Sequence, residues 1–327
     1  MTTFLSGIQP SNRPHIGNYF GAMRQHVAAS KGEGTNLYFI ADYHALTTVH
    51  DADALRERVH DLAASYLAIG LDPERAILFR QSDVPEVTEI AWLLACCTGM
   101  GLLERAHSYK DKVAKGIKPS VGLFTYPVLM AADIIAYDSD VVPVGKDQVQ
   151  HVEMTQDMVT HFNTRYGEVF VRPEYRLADE AGMQKILGLD GEKMSKSYGN
   201  DIWVFESGKQ LKKRVGQIVT DSRPPEEPKD PDELFIFDLL ALFVDANELA
   251  EWKEKVRVGG EGAPGYGHLK MRLKDAMEEY FAPARARYEA LMADRGELDR
   301  ILLAGATRAR ERAAAVRDRA YAACGLR

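Results

Sequence analysis

The pentapeptide Lys193-Met194-Ser195-Lys196-Ser197 holds the side chains best suited to chemistry in this chain of 327 residues. Its two ammonium groups lie three residues apart, with hydroxyl donors beside them. Two point charges of this kind, with hydroxyl donors beside them, can bind the oxygens of a polyphosphate. An isolated Lys/Ser pentapeptide can also be a surface loop that contacts only water, so a second signal is needed.

That second signal lies far upstream, in the segment 10–18, Pro-Ser-Asn-Arg-Pro-His-Ile-Gly-Asn. A turn that opens a helix presents free backbone N–H groups to a phosphate. Gly17 has no Cβ, so a flat base can approach the backbone there. His15 and Asn18 are able to hydrogen-bond a phosphate or a ribose. The alternative is a simple turn before a core helix, with His15 in solvent.

The first two-thirds of the chain alternates short apolar runs with helical patterns. The predicted strands are 4–8, 37–41 and 77–79, and the predicted helices are 54–68, 85–99 and 152–166. This alternation predicts an α/β fold with a Rossmann-like parallel sheet. In such a sheet ligands bind at the carboxyl ends of the strands, beside helix N-termini.

After residue 200 the patterns are helical, at 232–257, at 269–293 and from Glu297 onwards. We therefore predict a catalytic domain at 1–200 and a smaller all-helical domain at 201–327, with a final helix able to pack back on the first domain. The segment from Arg295 is rich in arginine, and a second basic cluster lies at 209–214. Such charge patterns predict either a solvated face or contacts to nucleic-acid phosphates.

Composition limits the classes of protein that fit. The net charge of −7 and the pI of about 5.8 do not indicate a general nucleic-acid binder, so any such contact depends on local patches. Cys96, Cys97 and Cys324 match neither a disulfide framework nor a zinc site. No apolar run approaches the ~20 residues that cross a bilayer. We expect a cytoplasmic protein that makes no membrane contact.

Four blocks resemble the signature sequences of the tryptophanyl-tRNA synthetases, a family of class I aminoacyl-tRNA synthetases. The blocks are 6–19, 125–134, 142–151 and 192–197. The resemblance covers nearly the whole chain in order, and the block at 125–151 separates this family from the tyrosyl enzymes. Asn12 departs from the pattern, because many members have glycine there.

The resemblance implies that ATP, accompanied by Mg²⁺, binds at the first and last blocks and at the turn 145–147. The implied ATP-binding residues are Gln9, Pro10, Ser11, Gly17, Asn18, Gly145, Lys146, Asp147, Lys193, Met194, Ser195, Lys196 and Ser197. The implied catalytic residues are His15, Lys112, Lys193 and Lys196. Mg²⁺ is expected to be held through the ATP phosphates. We expect no permanently bound cofactor, no zinc and no iron–sulfur cluster, since only Cys324 lies in the predicted second domain.

Asp133 lies in the apolar run 128–135, where a carboxylate needs a partner. A helix cap or an arginine would satisfy it, and so would an indole N–H, which donates and has no acceptor function. The resemblance implies that Asp133 binds the indole of tryptophan. The further tryptophan-binding residues that it implies are Tyr126 and Gln148 at the amino group, His44 beside the substrate, and Phe4, Met130, Val142 and Val144 as walls.

The implied activity is that of a ligase, which activates L-tryptophan with ATP to tryptophanyl-adenylate and transfers it to the 3′ end of tRNA(Trp). The resemblance also implies a homodimer with its interface on the catalytic domain, and a helical domain that binds the anticodon. The alternatives are a tyrosyl-tRNA synthetase-like enzyme, a small-molecule nucleotidyltransferase, and a non-catalytic paralogue that senses tryptophan or binds RNA.

Overall fold

A central parallel sheet organises the first part of the chain. The computed structural model describes residues 2–11, 13–106, 109, 120–177 and 186–326, without the side chain of Asp147. Within these residues the sheet has five strands: β1 Thr3–Ile8, β2 Thr35–Ile40, β3 Ala76–Arg80, β4 Val141–Val144 and β5 Glu174–Leu177. The strand order is β3-β2-β1-β4-β5 and all pairings are parallel, which confirms the predicted fold class.

The strand order reverses beside β1, because the chain first adds β2 and β3 on one side and later β4 and β5 on the other. Such a switch point leaves a crevice at the carboxyl ends of the central strands. β2 and β3 are buried along almost their whole length, as expected for strands of a covered parallel sheet. Gly7 is required in β1, since a Cβ there would lie 2.4 Å from the Phe39 ring.

The helices follow the predicted alternation. In the first 135 residues they are α1 Ile16–Asn18, α2 Arg24–Ala29, α3 Asp42–Ala45, α4 Ala52–Ala68, α5 Glu86–Ala95, α6 Met100–Glu104 and α7 Val121–Ile135. They continue with α8 Val149–Tyr166, α9 Gly208–Gly216, α10 Ile236–Leu240, α11 Ala246–Val258, α12 Tyr266–Ala293 and α13 Arg295–Cys324. A π-helical turn, Tyr19–Met23, joins α1 to α2.

The predicted helix at 232–257 is divided in the structure into α10 and α11. Asp245 ends the interruption as the N-cap of α11, where its carboxylate accepts the backbone N–H groups of Asn247 and Glu248. The final helix, predicted from Glu297, begins at Arg295 and packs on β3. Gly305 allows the close approach, because a Cβ there would lie 1.9 Å from the carbonyl oxygen of Leu78.

The chain divides into two compact units. The first consists of Met1–Arg13, His26–Glu180 and Leu291–Arg327, and the second of Pro14–Gln25 and Ala181–Ala290. The predicted boundary at residue 200 differs from this division, since 14–25 and 181–200 belong to the second unit and the last helix belongs to the first. The functional roles assigned to the two predicted domains stay predictions. In the described part of the chain, no helix has both the length and the apolarity to cross a bilayer.

Candidate active site

Asp133 lies near the end of α7 in the first unit and is 1% exposed. Gln81 Nε2 donates to both of its carboxylate oxygens at 2.8 Å, and His44 Nε2 lies 2.9 Å from Oδ2. The contacts therefore involve neither an arginine nor a helix cap, the two partners that the sequence left open. Each carboxylate oxygen accepts more than one hydrogen bond, so Oδ1 keeps the capacity for a further N–H donor.

Burial raises the pKa of Asp133 above its ordinary value of 3.8, while the contacts with His44 and Gln81 oppose that rise. The carboxylate is thus stabilised by hydrogen bonds that favour its charged form. The His44 ring lies edge-on to the Tyr126 ring, with the two centroids 6.4 Å apart. These contacts connect Asp133 to a second set of polar side chains.

That second set is centred on His151, which is 5% exposed. His151 Nδ1 lies 3.0 Å from Gln148 Oε1, and Nε2 lies 2.7 Å from the hydroxyl of Tyr126. The amide oxygen only accepts, so in neutral His151 the proton is on Nδ1 and Nε2 accepts from Tyr126. We call Asp133, His44, Gln81, Tyr126, Gln148 and His151 the Asp133 cluster.

The predicted wall residues do not all lie together. Val142 belongs to the buried core of the first unit, and Met130 and Val144 pack against it. Phe4 instead lies with its ring 5.2 Å from the Arg176 guanidinium. Side chains alternate between the faces of a strand, and Leu5 is the β1 residue that joins this core.

His15 opens the first helix of the second unit. Its Nδ1 accepts the backbone N–H of Asn18 at 3.2 Å, and Asn18 Oδ1 accepts the N–H of His15 at 3.0 Å. This reciprocal cap fixes the imidazole and places the proton of the neutral ring on Nε2. His15 is therefore half-buried and anchored, not a solvated turn residue.

The early turn and the lysine-containing segment lie side by side within the second unit. Ile16 N–H donates to Ile202 O at 3.0 Å, and Val204 N–H donates to Pro14 O at 3.0 Å. A Cβ on Gly17 would lie 2.9 Å from His15 Nδ1 and 3.4 Å from Met194 Cβ. The absence of a Cβ thus leaves room for the His15 ring, and Met194 lies beside Gly17 at ordinary contact distance, so the two sequence signals are neighbours in space.

The electrostatics of His15 reflect that proximity. Burial is the main cause that lowers its pKa from 6.5 to about 4; Lys196 lowers it further, Asp201 opposes this, and Lys193 adds the smallest lowering effect. At neutral pH the ring is uncharged, so Nε2–H is a neutral donor beside two cations. A neutral donor and two ammonium groups together suit an anionic ligand with several oxygens.

The residues 193–200, here called the lysine loop, are held by the buried amide of Asn200. Its Oδ1 accepts the N–H of Ser195 at 2.7 Å, and its Nδ2 donates to Lys193 O at 3.2 Å and to Asp190 Oδ1 at 2.7 Å. Lys193 is exposed and Lys196 is half-buried. The hydroxyls of Ser195 and Ser197 lie 2.8 Å apart.

The remaining predicted residues occupy the first unit or lie outside the described residues. Gln9, Pro10 and Ser11 follow the carboxyl end of β1, and the turn 145–147 follows β4. Gln148 N–H donates to Gly145 O at 2.9 Å, which closes that turn before α8. Lys112 and Asn12 lie outside the described residues, as does the side chain of Asp147.

Sequence reasoning missed Gln81 and Asn200 and did not assign a role to His151. Gln81 lies in a 3₁₀ turn after β3 and is 0% exposed. A polar residue two positions after the predicted buried strand 77–79 is a signal that was present in the sequence. No local pattern marks Asn200, whose partners are defined by the folded loop.

Several arginines of α13 contact other elements of the first unit, to which this helix belongs. Arg310 is paired with the buried carboxylate of Glu86 at 2.9 Å, and Arg317 contacts Glu89 at 3.1 Å. Arg312 donates to the hydroxyls of Thr3 and Thr35. These guanidinium groups stabilise the packing of α13, so we do not assign them to nucleic acid.

Within the described residues no group of three histidine, cysteine or acidic side chains is arranged to hold a metal ion. The expected lack of a protein-bound metal or cluster stays a prediction.

The chain was compared with known proteins. A family model described as "tRNA synthetases class I (W and Y)" matches residues 1–282. A tryptophan–tRNA ligase of Rhodopirellula baltica is 53% identical over 323 residues, which are 99% of each chain. A tryptophan–tRNA ligase of Campylobacter jejuni is 47% identical over 322 residues, 98% of this chain and 99% of the relative.

The structure of Campylobacter jejuni tryptophanyl-tRNA synthetase, complexed with ADP and tryptophan, matches with a TM-score of 0.94 and 46% identity. The match covers 99% of this chain and 100% of that one.

Proposed function

The chain belongs to the family of class I tRNA synthetases for tryptophan and tyrosine, and we propose that it is an aminoacyl-tRNA ligase that acts on tryptophan. The observation that carries the choice of amino acid is the buried carboxylate of Asp133, with its capacity for one more N–H donor. Relatives at 47% and 53% identity over almost their full length are tryptophan–tRNA ligases, which argues against the tyrosine alternative.

Tryptophan is recognised by the Asp133 cluster. The indole N–H donates to Asp133, whose carboxylate is held in place by Gln81 and His44. Tyr126 and Gln148 receive the ammonium group through their oxygens, with His151 fixing both side chains. Phenylalanine would leave the buried carboxylate without this donor and is rejected for that reason.

The apolar part of the indole is enclosed by side chains from the core of the first unit. We assign Met130, Val142 and Val144 to the walls as the sequence predicted, and Leu5 in place of Phe4. The assignment changes from Phe4 to Leu5 because adjacent residues of β1 point to opposite faces of the sheet. This change preserves the proposed binding mode, because Leu5 supplies an apolar surface to the indole as Phe4 would have done.

ATP binds through the turn 14–18 and the lysine loop. His15 Nε2–H, Lys193 and Lys196 stabilise the charge that forms on the α-phosphate and on pyrophosphate as the tryptophan carboxylate attacks. Mg²⁺ enters with ATP as part of the substrate and shields the phosphates. No general base is needed, because the attacking carboxylate is already ionised at neutral pH. Tryptophanyl-adenylate and pyrophosphate are the products of this step.

The second step transfers tryptophan to the terminal adenosine of its tRNA. Since the α13 arginines contact the first unit, we assign phosphate contacts to the exposed lysines of α9, Lys209, Lys212 and Lys213. The helices of the second unit that follow residue 200, α9 to α12, are assigned to the anticodon end. Because tRNA is the substrate, we place the enzyme in the cytoplasm.

We further propose a homodimer formed by the first unit. Three large apolar side chains are exposed on α5, α6 and α7, where Trp92 is 70%, Met100 63% and Val121 79% exposed. An exposed apolar surface of this kind is typical of an interface. Light scattering of the purified protein tests the assembly, and a monomer across the working concentration range would contradict it.

Tryptophan-dependent exchange of pyrophosphate into ATP tests the proposed activity. We expect exchange with tryptophan and none above background with tyrosine, followed by charging of tRNA(Trp). Exchange that depends on tyrosine, or no exchange with either amino acid, would contradict the proposal. The measurement needs no tRNA, so it isolates the chemistry of adenylation.

A further inference from the structure

We propose that Asp299, in the first turns of α13, is a positioning residue for the carboxylate of Asp133. The inference rests on the proposed function, since it concerns the same tryptophan site. Asp299 lies far from Asp133 in the sequence and does not touch it. Its effect passes through the turn 81–83, which follows β3.

Gln81 is the last link in this chain of contacts. Its Nε2 donates to both oxygens of Asp133 at 2.8 Å, and its Oε1 accepts the N–H of Tyr43 at 3.0 Å. The side chain is completely buried, so the amide has no alternative partner in water. The position of the Gln81 backbone therefore determines where the carboxylate of Asp133 is held.

Residues on both sides of Gln81 are fixed as well. Ser82 N–H donates to Asp42 Oδ1 at 3.0 Å, and the Ser82 hydroxyl donates to Asp42 Oδ2. Arg80 Nε donates to Asp83 Oδ2 at 2.7 Å. The turn is thus tied to the start of α3 by Ser82 and is closed on itself by Arg80.

Asp299 connects this turn to the last helix. Arg80 Nη1 donates to Asp299 Oδ1 at 2.9 Å, and His60 Nε2 lies 3.0 Å from the same oxygen. Arg80 directly precedes Gln81, so a change in the Arg80 side chain acts on the neighbouring backbone. A cavity of about 660 Å³ borders Arg80, Asp83 and Asp299, and it gives an unanchored Arg80 side chain room to move.

The helix that carries Asp299 is itself fixed against the sheet. Gly305 packs on the backbone of β3, and Arg310 holds Glu86 at the start of α5 with Nε and Nη2. The helix is therefore a rigid support, and loss of Asp299 changes the turn more than it changes the helix. This is the expected behaviour of a residue that orients a binding group from behind.

The test compares Asp299→Asn with Glu57→Gln in the exchange assay. Glu57 of α4 pairs at 2.6 Å with Arg295, which lies on the same helix as Asp299. This pair does not contact the turn, so neutralising Glu57 is the matched control. We expect Asp299→Asn to raise the tryptophan KM roughly tenfold while the ATP KM and kcat change by less than about twofold. Glu57→Gln should leave all three constants near wild type.

Two further variants separate positioning from a loss of folding. Asp299→Glu keeps the charge and should recover most of the tryptophan KM. Arg80→Lys keeps the cation but cannot contact Asp83 and Asp299 through separate nitrogens, so it should raise the tryptophan KM in the same way. Thermal unfolding of each variant shows whether it is folded at the assay temperature. If Asp299→Asn does not fold, the tryptophan KM of Arg80→Lys tests the inference in its place.

The outcomes distinguish the inference from the proposed function. If wild type exchanges with tryptophan and the folded Asp299→Asn variant keeps the wild-type tryptophan KM, the inference is wrong and the function stands. An equal rise in the tryptophan KM and the ATP KM would also overturn the inference, because a general structural defect affects both constants. If wild type shows no tryptophan-dependent exchange, both are overturned.

Discussion

The Asp133 cluster and the lysine loop are built in opposite ways. In the cluster the charged group is buried, and hydrogen bonds from Gln81 and His44 hold it before any substrate arrives. In the loop the backbone is held by Asn200, whereas the ammonium group of Lys193 is exposed. A buried network suits the choice between similar amino acids, because a wrong ligand leaves it unsatisfied. Accessible cations suit a ligand whose charge changes during the reaction.

This difference predicts which kinetic constant each region controls. Changes in the Asp133 cluster should alter tryptophan recognition, and changes in the lysine loop should alter the rate of adenylation and the binding of ATP. The following variants test that division, beginning with the largest effect.

Asp133→Asn should reduce kcat/KM for tryptophan roughly 1,000-fold. The new amide has one acceptor oxygen, which can face either Gln81 or the indole N–H. Its NH₂ group then faces the other of these two donors, and no hydrogen bond forms there. The measurement is exchange at varied tryptophan, with ATP saturating. Asp140→Asn is the matched control, since Asp140 Oδ2 accepts the backbone N–H of Thr3 at 2.8 Å at the other end of β1. Similar losses in both variants would contradict the assignment of Asp133.

Asn200→Ala should lower kcat for exchange roughly tenfold and raise the ATP KM, with the tryptophan KM near wild type. The variant removes the amide that orients the backbone at Ser195 and Lys193. Asn163→Ala is a suitable control, because Asn163 holds the backbone of Val169 and Phe170 with the same amide chemistry. If Asn200→Ala raised only the tryptophan KM, the division between tryptophan recognition and adenylation rate would be wrong.

The pH dependence of stability should give the smallest effect. The pKa of His15 is lowered from 6.5 to about 4, so the unfolded chain binds more protons than the folded chain between these values. The stability due to neutral His15 is present above pH 6.5 and is lost as the pH falls towards 4.

His15→Gln should flatten the dependence of the unfolding free energy on pH in this window, as measured by urea unfolding. His161→Gln, a change of an exposed histidine, is the control. An unchanged slope in His15→Gln would contradict the burial of His15.

Local patterns in the sequence were sufficient for β1, β2, β3 and the final helix, but they did not indicate β4 or β5. The apolar runs at 37–41 and 77–79 became β2 and β3, because continuous apolar residues are required where both faces of a parallel sheet are covered. The division of the units was not accessible in this way. Residues 14–25 belong with residues beyond 180, and only the tertiary contacts of the folded chain define such a grouping.

The site shows the same limit. The arginines of α13 were open to two interpretations from charge alone, and their partners Thr3, Thr35 and Glu86 lie more than 200 residues away. The choice between Phe4 and Leu5 depends on which face of β1 joins the core that contains Val142, which two adjacent apolar residues do not reveal. Gln81 was missed because its position just after a buried strand does not identify its partner, and a neutral amide carries no charge that would mark it.

The most direct test of the division between recognition and rate is Lys196→Ala in the exchange assay, with Lys209→Ala, an exposed lysine of α9, as control. We expect kcat to fall roughly 100-fold in Lys196→Ala and the tryptophan KM to stay within about twofold of wild type, while Lys209→Ala exchanges like wild type. A Lys196→Ala enzyme with wild-type kcat, or one whose loss appears in the tryptophan KM, would contradict the role assigned to the lysine loop.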